Sequence, residues 1–464
     1  MLKRNPRPER PPVDIEIEGS RERTKLILQL MWPALAENVL ATLVSMADTM
    51  MVSSLGTTAV AGVGLVTQPR FIMLSAFMAL GTGATALVAR AKGKGDVKEA
   101  NQVLRQALIL AAVIIAILCT AMLIWCEPLI RFIAGANISE ATVQMALEYF
   151  RIQVYGFPTL ALPFIMNACL RGAGNTKAAF YSNMASNIVN VIFNYLLIGG
   201  NFGFPALGVK GASIATVLGQ IVALCFCSYL LTNGKQYITL RHQGPLRADF
   251  GMIRRIGRIG FPALLEQVVM RVGMMLFTLI ATSLGDDPYA AHIIAMNIQS
   301  MSFTTGMSFG VAATTLTGQC LGRKRQDLAQ WYLRRTLQMG ALLSLVVAAV
   351  LFFFGGAIAS LYSKEAIIIG YAGTVLKIVA VSNVISNSRF VYNSALRGAG
   401  DSRFTAVSTF LGIMLARPLV ASLLVFVFDF GLVGVWIALI SDAVLCYILG
   451  NYRWKSGKWA QIKV

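Results

Sequence analysis

Pro33-Ala-Leu-Ala-Glu37 returns as Pro262-Ala-Leu-Leu-Glu266, and Asn167-Ala-Cys-Leu-Arg-Gly-Ala-Gly174 returns as Asn393-Ser-Ala-Leu-Arg-Gly-Ala-Gly400. Around these anchors the order holds. Leu55-Gly56 pairs with Leu284-Gly285, and Gly81, Ala84, Thr85 and Leu87 pair with Gly310, Ala313, Thr314 and Leu316. Gly93, Ala100, Leu104 and Arg105 match Gly322, Ala329, Leu333 and Arg334, and Gly208 and Gly211 match Gly431 and Gly434. Matches kept in order along the whole chain mean that it is built from two related halves.

Composition says what the halves are made of. Of 464 residues, 56% are hydrophobic and 13% charged, and mean hydropathy is +0.66. A soluble domain carries about a quarter charged residues, so this chain has too little polar sequence to face water all round. Apolar spans fall near 28–53, 63–90, 104–133, 147–170, 178–200, 211–232, 256–284, 290–320, 333–361, 367–396, 403–428 and 433–451. A helix crosses a hydrocarbon core with about 20 residues, whereas a membrane barrel needs short alternating segments. The reading is an all-α integral membrane protein of twelve transmembrane helices in two pseudo-symmetric six-helix bundles. Six is even, so both halves enter from the same side and the repeat is parallel, with a central cavity between the bundles.

The net charge of +19 does not point to nucleic acid, because the basic residues cluster between spans. Arg90 to Lys98, Arg171 to Lys177, Lys235 to Arg258, Arg323 to Arg335, Arg397 to Arg403 and Arg453 to Lys463 form one set of connections. The intervening set, Ser53 to Ala61, Gly199 to Pro205, Ser283 to Ala291 and Phe428 to Gly434, is nearly free of Lys and Arg. This alternation places both termini in the cytoplasm. It divides the chain into a disordered tail 1–25, an N-lobe 26–232, a linker 233–255, a C-lobe 256–451 and a tail 452–464. The seven cysteines have no metal-type spacing and read as small buried hydrophobes.

The first-span pattern Pro33 to Glu37, Met46-Ala-Asp48-Thr-Met and Ser54-Leu55-Gly56, the duplicated Leu-Arg-Gly-Ala-Gly loop, and Pro262 to Glu266 followed by Ala290-Ala-His292 and Ala295-Met-Asn297 together resemble the multidrug and toxic compound extrusion family. The resemblance covers roughly residues 25–450. It implies export of cationic amphipathic compounds driven by inward Na⁺ or H⁺, with no other cofactor, in a bacterial inner membrane. It implies no enzymatic activity, and the protein is expected as a monomer. Two family positions differ. Ser386 stands where some members carry an acid in span ten, and Asn194 where some carry Asp in span five, so a multi-carboxylate site does not carry over.

A carboxylate in hydrocarbon is costly, which makes each one a functional candidate. Asp48 and Glu266 match acidic positions of the family. Glu37 and Asp48 are eleven residues apart, close to three helical turns, and so share one face. Asn183, Asn187, Asn190 and Asn194 form a polar stripe on span five. Asp48, Glu266, Asn187, Asn190, Asn194 and Glu37 are the expected ion-coupling residues, with Na⁺ held at Asp48, Asn190 and Asn194 or a proton on Asp48. Asn167, Gln68, Met270, Met274, Asn297, Gln299 and Asn387 are the candidate substrate contacts. Possible partners of Glu266 are Asn297, Gln299, His292, Asn383 and Asn387. Arg271, Arg389 and Arg417 are unusual mid-span cations, and they keep a lipid-linked saccharide flippase as the alternative. A membrane enzyme or a channel is the remoter reading, since no catalytic motif is present. The duplicated loops read as tight turns rather than phosphate cradles.

Overall fold

The computed structural model describes residues 15–17, 19–135, 138–241 and 247–462. Among them no strand occurs, and twelve long helices follow one another: α1 (Ser20–Ser53), α2 (Thr57–Lys94), α3 (Val97–Ala134), α4 (Glu140–Gly172), α5 (Thr176–Gly199), α6 (Gly208–Thr232), α7 (Phe250–Thr282), α8 (Asp286–Gly322), α9 (Gln326–Ala359), α10 (Ala366–Gly398), α11 (Ser402–Val427) and α12 (Gly431–Lys455). Ten are long and apolar enough to cross a membrane by length and composition alone. The other two, α5 and α8, bury polar side chains against their neighbours, among them Asn190 and Asn194 on α5 and Gln299, Ser308 and Gln319 on α8. Those buried groups lower the hydropathy of the two helices.

The repeat survives in three dimensions as matched contacts. Thr85 donates through Oγ1 to the Ala168 carbonyl at 2.9 Å, and its counterpart Thr314 donates to the Ser394 carbonyl at 2.8 Å. Gly172 lies against the Thr85 backbone, and Gly398 against the Thr314 backbone, so closely that neither leaves room for a Cβ. Gly174 and Gly400 adopt left-handed φ of 79° and 88°, the conformation a turn demands and glycine supplies. The Leu-Arg-Gly-Ala-Gly loops are therefore the tight turns expected of them.

The tails and the linker differ from the sequence reading. Helix α1 begins at Ser20, within the segment read as a disordered tail. Ile15 is buried in one core with Trp454 and Trp459 and with residues of α8, α9 and α10. Its carbonyl accepts from the Tyr332 hydroxyl at 3.0 Å, and Glu16 pairs with Arg325 at 3.0 Å. Trp459 stacks on Trp454 with ring centroids 3.9 Å apart, so the segment after α12 also docks. In the linker, Ile238 is fully buried in the N-lobe core, and α7 starts at Phe250, capped by Asp249 Oδ1 on the N–H groups of Gly251 and Met252. Charge density hid these anchors: each is one or two apolar side chains within a polar run. Residues 1–14 and 242–246 of the tail and linker, including His242, lie outside the described residues.

The lobes meet at the basic face. Gly93 of α2 and its counterpart Gly322 of α8 cross there with no space for a side chain: Gly93 lies against the Gln319 carbonyl, and Gly322 against the Arg90 carbonyl and Gly93. Arg255 bonds Glu99 at 2.8 Å, Thr315 donates to the Arg171 carbonyl at 3.0 Å, and Arg90 donates to the Ile462 carbonyl at 3.0 Å. Asn38 of α1 donates to Ser308 of α8 at 3.2 Å. Among the described residues, no inter-lobe hydrogen bond lies farther from the basic face than this one.

A carboxylate site between α1 and α5

Helices α1 and α5 pack side by side in strict register. Asn183 donates through Nδ2 to Glu37 Oε1 at 2.6 Å, and Asn194 donates to Asp48 Oδ1 at 2.5 Å, each pair 146 residues apart in sequence. The eleven-residue spacing of the two carboxylates on α1 thus meets the same spacing of amides on α5. Of the asparagine stripe, Asn183 and Asn194 face the acids, while Asn190 turns to Thr216 of α6.

The two ends of this face differ. At the basic end Glu37 also pairs with Arg171 of the first loop at 3.3 Å. Nearer the opposite end, Asp48 has no arginine within ion-pair distance among the described residues. Its neighbours are amides and hydroxyls: Asn194 reaches Asn190 Oδ1 at 3.5 Å, and Asn190 donates to Thr216 Oγ1 at 3.3 Å. Arg70 of α2 lies near enough to act on Asp48 and on the buried Tyr149 through its charge. Asn194 Oδ1 is buried with no hydrogen-bond partner. An unmatched acceptor beside a carboxylate, away from water, is a costly arrangement by itself. A small hard cation takes oxygen ligands of this kind, and a proton on Asp48 would supply a donor to the same group. Among the described residues no cluster of three or more His, Cys, Asp or Glu is present that would hold a transition metal. Asn187 is half-buried on the same stripe.

Glu266 is not brought to this site. It lies in the C-lobe, where Arg397 of the second loop pairs with it at 3.0 Å and the hydroxyls of Thr405 and Thr409 donate to it at 3.0 and 3.3 Å. The partners expected for it are elsewhere. His292 sits in an aromatic cage of Phe277, Tyr289 and Trp436. Asn383 bonds Ser302 and Ser344, and Asn387 bonds Ser344 and Asn383. Glu37–Arg171–Asn183 and Glu266–Arg397–Thr409 are the same pin in the two copies of the repeat. Sequence reading missed Arg171 and Arg397 as partners, although both members of each pair recur in both halves.

Asp442, Arg389 and Arg417 form a separate knot. Asp442 of α12 is fully buried between Arg389 of α10 and Arg417 of α11, with Arg417 Nε at 2.9 Å from Oδ1. Pro418 lacks the N–H that would continue α11, and the preceding turn, Phe410–Ala416, widens to π-helical geometry. Gly412 admits Cys446 of α12 at close range. Arg389 therefore does not reach Glu266, and two of the three arginines that kept a flippase in view are taken up by Asp442. Of the candidate substrate contacts, Asn167, Gln299 and Asn387 are buried packing residues. Asn167 bonds Asn183 and Cys227. Met270 and Met274 are half-buried, and Met274 accepts from Arg417 at 3.2 Å. Gln68 and Asn297 are exposed.

Comparison with known proteins agrees with this architecture. The MatE family model matches residues 33–196 and 262–422, the two halves of the repeat. A probable multidrug resistance protein NorM of Thermotoga maritima is 30% identical, over 94% of this chain and 93% of its own. An uncharacterized transporter, YisQ, of Bacillus subtilis is 25% identical over 95% of this chain and 96% of its own. Among solved structures, an outward-facing conformation of a multidrug resistance MATE family transporter of the MOP superfamily superposes with a TM-score of 0.86 at 24% identity, covering 94% of this chain and 96% of that one.

Proposed function

The chain belongs to the MatE family of multi-pass membrane transporters, and on that premise we propose that it exports amphipathic organic cations in exchange for inward H⁺ or Na⁺ bound at Asp48. It is a transporter rather than an enzyme. The basic face is read as cytoplasmic from the distribution of Lys and Arg, in a bacterial inner membrane, with both termini inside and one chain as the working unit. The contacts that join the lobes then lie on the inner side in this conformation. Alternation follows from rocking the lobes about the contacts at the basic face.

The observation that carries the proposal is the Asp48–Asn194 pair with its unmatched Asn194 oxygen. A coupling ion on Asp48 satisfies that oxygen, and a cationic drug near Asp48 competes with the ion. Competition of this kind is what couples one flux to the other. The named function of the Thermotoga relative, multidrug resistance, supports an export role.

The test is ethidium efflux from proteoliposomes with Na⁺ and H⁺ gradients imposed separately. One gradient should drive efflux and so name the ion. Asp48→Asn, expressed and folded as the parent, should lose gradient-driven efflux by at least about tenfold; undiminished efflux in that variant would overturn the assignment.

A further inference from the structure

A cavity of about 400 Å³ opens at the basic face of the C-lobe, between α7, α11 and the end of α12. Arg258 of α7, Arg403 of α11 and Arg453 of α12 line it, and Asp401 is the one carboxylate on its wall among the described residues. Arg453 Nε bonds Asp401 Oδ2 at 2.7 Å, and its guanidinium lies 5.2 Å from the Phe404 ring centroid. That pair is neutral together. Arg258 and Arg403 have exposed side chains, and no carboxylate among the described residues lies within ion-pair distance of either. The cavity therefore presents two uncommitted guanidiniums.

The repeat does not require these charges. Its register places Gln29 opposite Arg258, Lys177 opposite Arg403 and Asn175 opposite Asp401. In the N-lobe the Asn175 amide is taken up by Gln236 of the linker at 2.6 Å. Where the N-lobe has an amide and a lysine, the C-lobe has two arginines around an open cavity.

Below the arginines both walls turn apolar. Helices α7 and α11 each start at the basic face and run in the same direction, held in register by the bonds of Glu266 with Thr405 and Thr409. Arg258, Phe261 and Leu265 follow at helical spacing along one side of α7, and Arg403, Val407 and Phe410 along one side of α11. All four apolar side chains are exposed. Arg258 and Arg403 stand at the first turn of the apolar spans 256–284 and 403–428, the depth at which headgroups give way to hydrocarbon. Two cations above two apolar tracks match a molecule with an anionic head and two hydrocarbon chains. A phosphate suits the head, because guanidinium forks bind its oxygens through paired charge-assisted hydrogen bonds. Basic pockets between membrane helices recognise lipid headgroups in this way. We propose that this cavity binds an anionic phospholipid, with its phosphate between Arg258 and Arg403 and its chains along the exposed sides of α7 and α11.

The experiment uses the full-length protein in detergent, with binding read by native mass spectrometry. The probes are phosphatidylglycerol, phosphatidylcholine with the same chains, and glycerol 3-phosphate as a soluble competitor. The parent should bind phosphatidylglycerol at least about tenfold more tightly than phosphatidylcholine, as charge-assisted bonds to an unopposed anion require. Arg258→Gln with Arg403→Gln should remove that preference. Lys177→Gln with Arg334→Gln takes two exposed charges from other parts of the basic face and should keep it. A parent without preference would overturn the site, and equal loss in both double variants would do so by assigning the binding to overall surface charge. Glycerol 3-phosphate competing as well as the lipid would show a site for soluble phosphates and overturn the proposal too. A second measurement needs no variant. Phosphatidylglycerol with a photoactivatable diazirine in one chain should label the parent on α7 and α11, and labelling spread evenly over the exposed helices counts against the site. None of these readouts involves transport, so their outcome stands apart from the exporter reading.

Discussion

Asp48 and Glu266 are both carboxylates inside apolar helices, both hydrogen-bonded, and both match acidic positions of the family, yet their surroundings assign them different work. Three donors converge on Glu266, one of them a guanidinium, so its oxygens are occupied and little is left to bind. Asp48 has one short bond to an amide and an unmatched oxygen beside it. Glu266→Gln should therefore keep gradient-driven export while lowering stability by about 1–3 kcal/mol, the worth of a hydrogen bond to a charged partner. Thermal unfolding in detergent and the ethidium assay together check this, and loss of coupling at unchanged stability would reverse the two roles. The sequence pointed to both acids and to the asparagine stripe, because cost in hydrocarbon and helical period are local properties. It did not reveal Arg171 or Arg397 as partners. Each pair is separated by 134 or 131 residues, and nothing local to the glutamate announces the arginine.

At the scale of a helix, α10 shows how one residue type serves opposite ends. Gly398 has no room for a Cβ against the Thr314 backbone, whereas Gly370, in the same helix, has nothing within 4 Å. Gly398→Ala should cost about 1–3 kcal/mol, the range for forcing extra volume into a packed contact. Gly370→Ala should be neutral or stabilising by up to about 1 kcal/mol, since alanine is the better helix former. Differential scanning fluorimetry on the two variants decides it, and equal shifts would contradict the packing described for the second loop. The repeat had marked Gly398 beforehand, since Gly172 recurs with it. The widened turns of α11 were not legible, because Pro418 tells only that a backbone bond is missing. How the helix accommodates the gap depends on Arg417 reaching Asp442 on the neighbouring helix α12.

Across the whole molecule, the repeat produces a seam that is itself nearly symmetric, with Gly93 and Gly322 approaching each other's helices. A side chain at either position wedges the seam. Gly93→Ala should push α2 and α8 apart at the basic face and shift the population toward the state open there. Spin labels at Lys94 and Lys324, in a background free of other cysteines, should report longer distances by electron paramagnetic resonance. An unchanged distance distribution would show that the seam is not the closed gate. Six-and-six architecture was readable from hydropathy and repetition, while the way each terminus crosses to another helix was not, since Ile15 and Trp459 are isolated apolar residues in charged surroundings. The docking of Ile15 against Tyr332, in one core with Trp454 and Trp459, also bears on how the chain is made. A ribosome delivers Ile15 long before those partners, so this contact closes only after the segment around Trp459 has emerged. Biogenesis of the C-lobe thus reaches back to a residue made more than 400 positions earlier, and a chain cut short before Trp459 would lack part of the cover of Ile15.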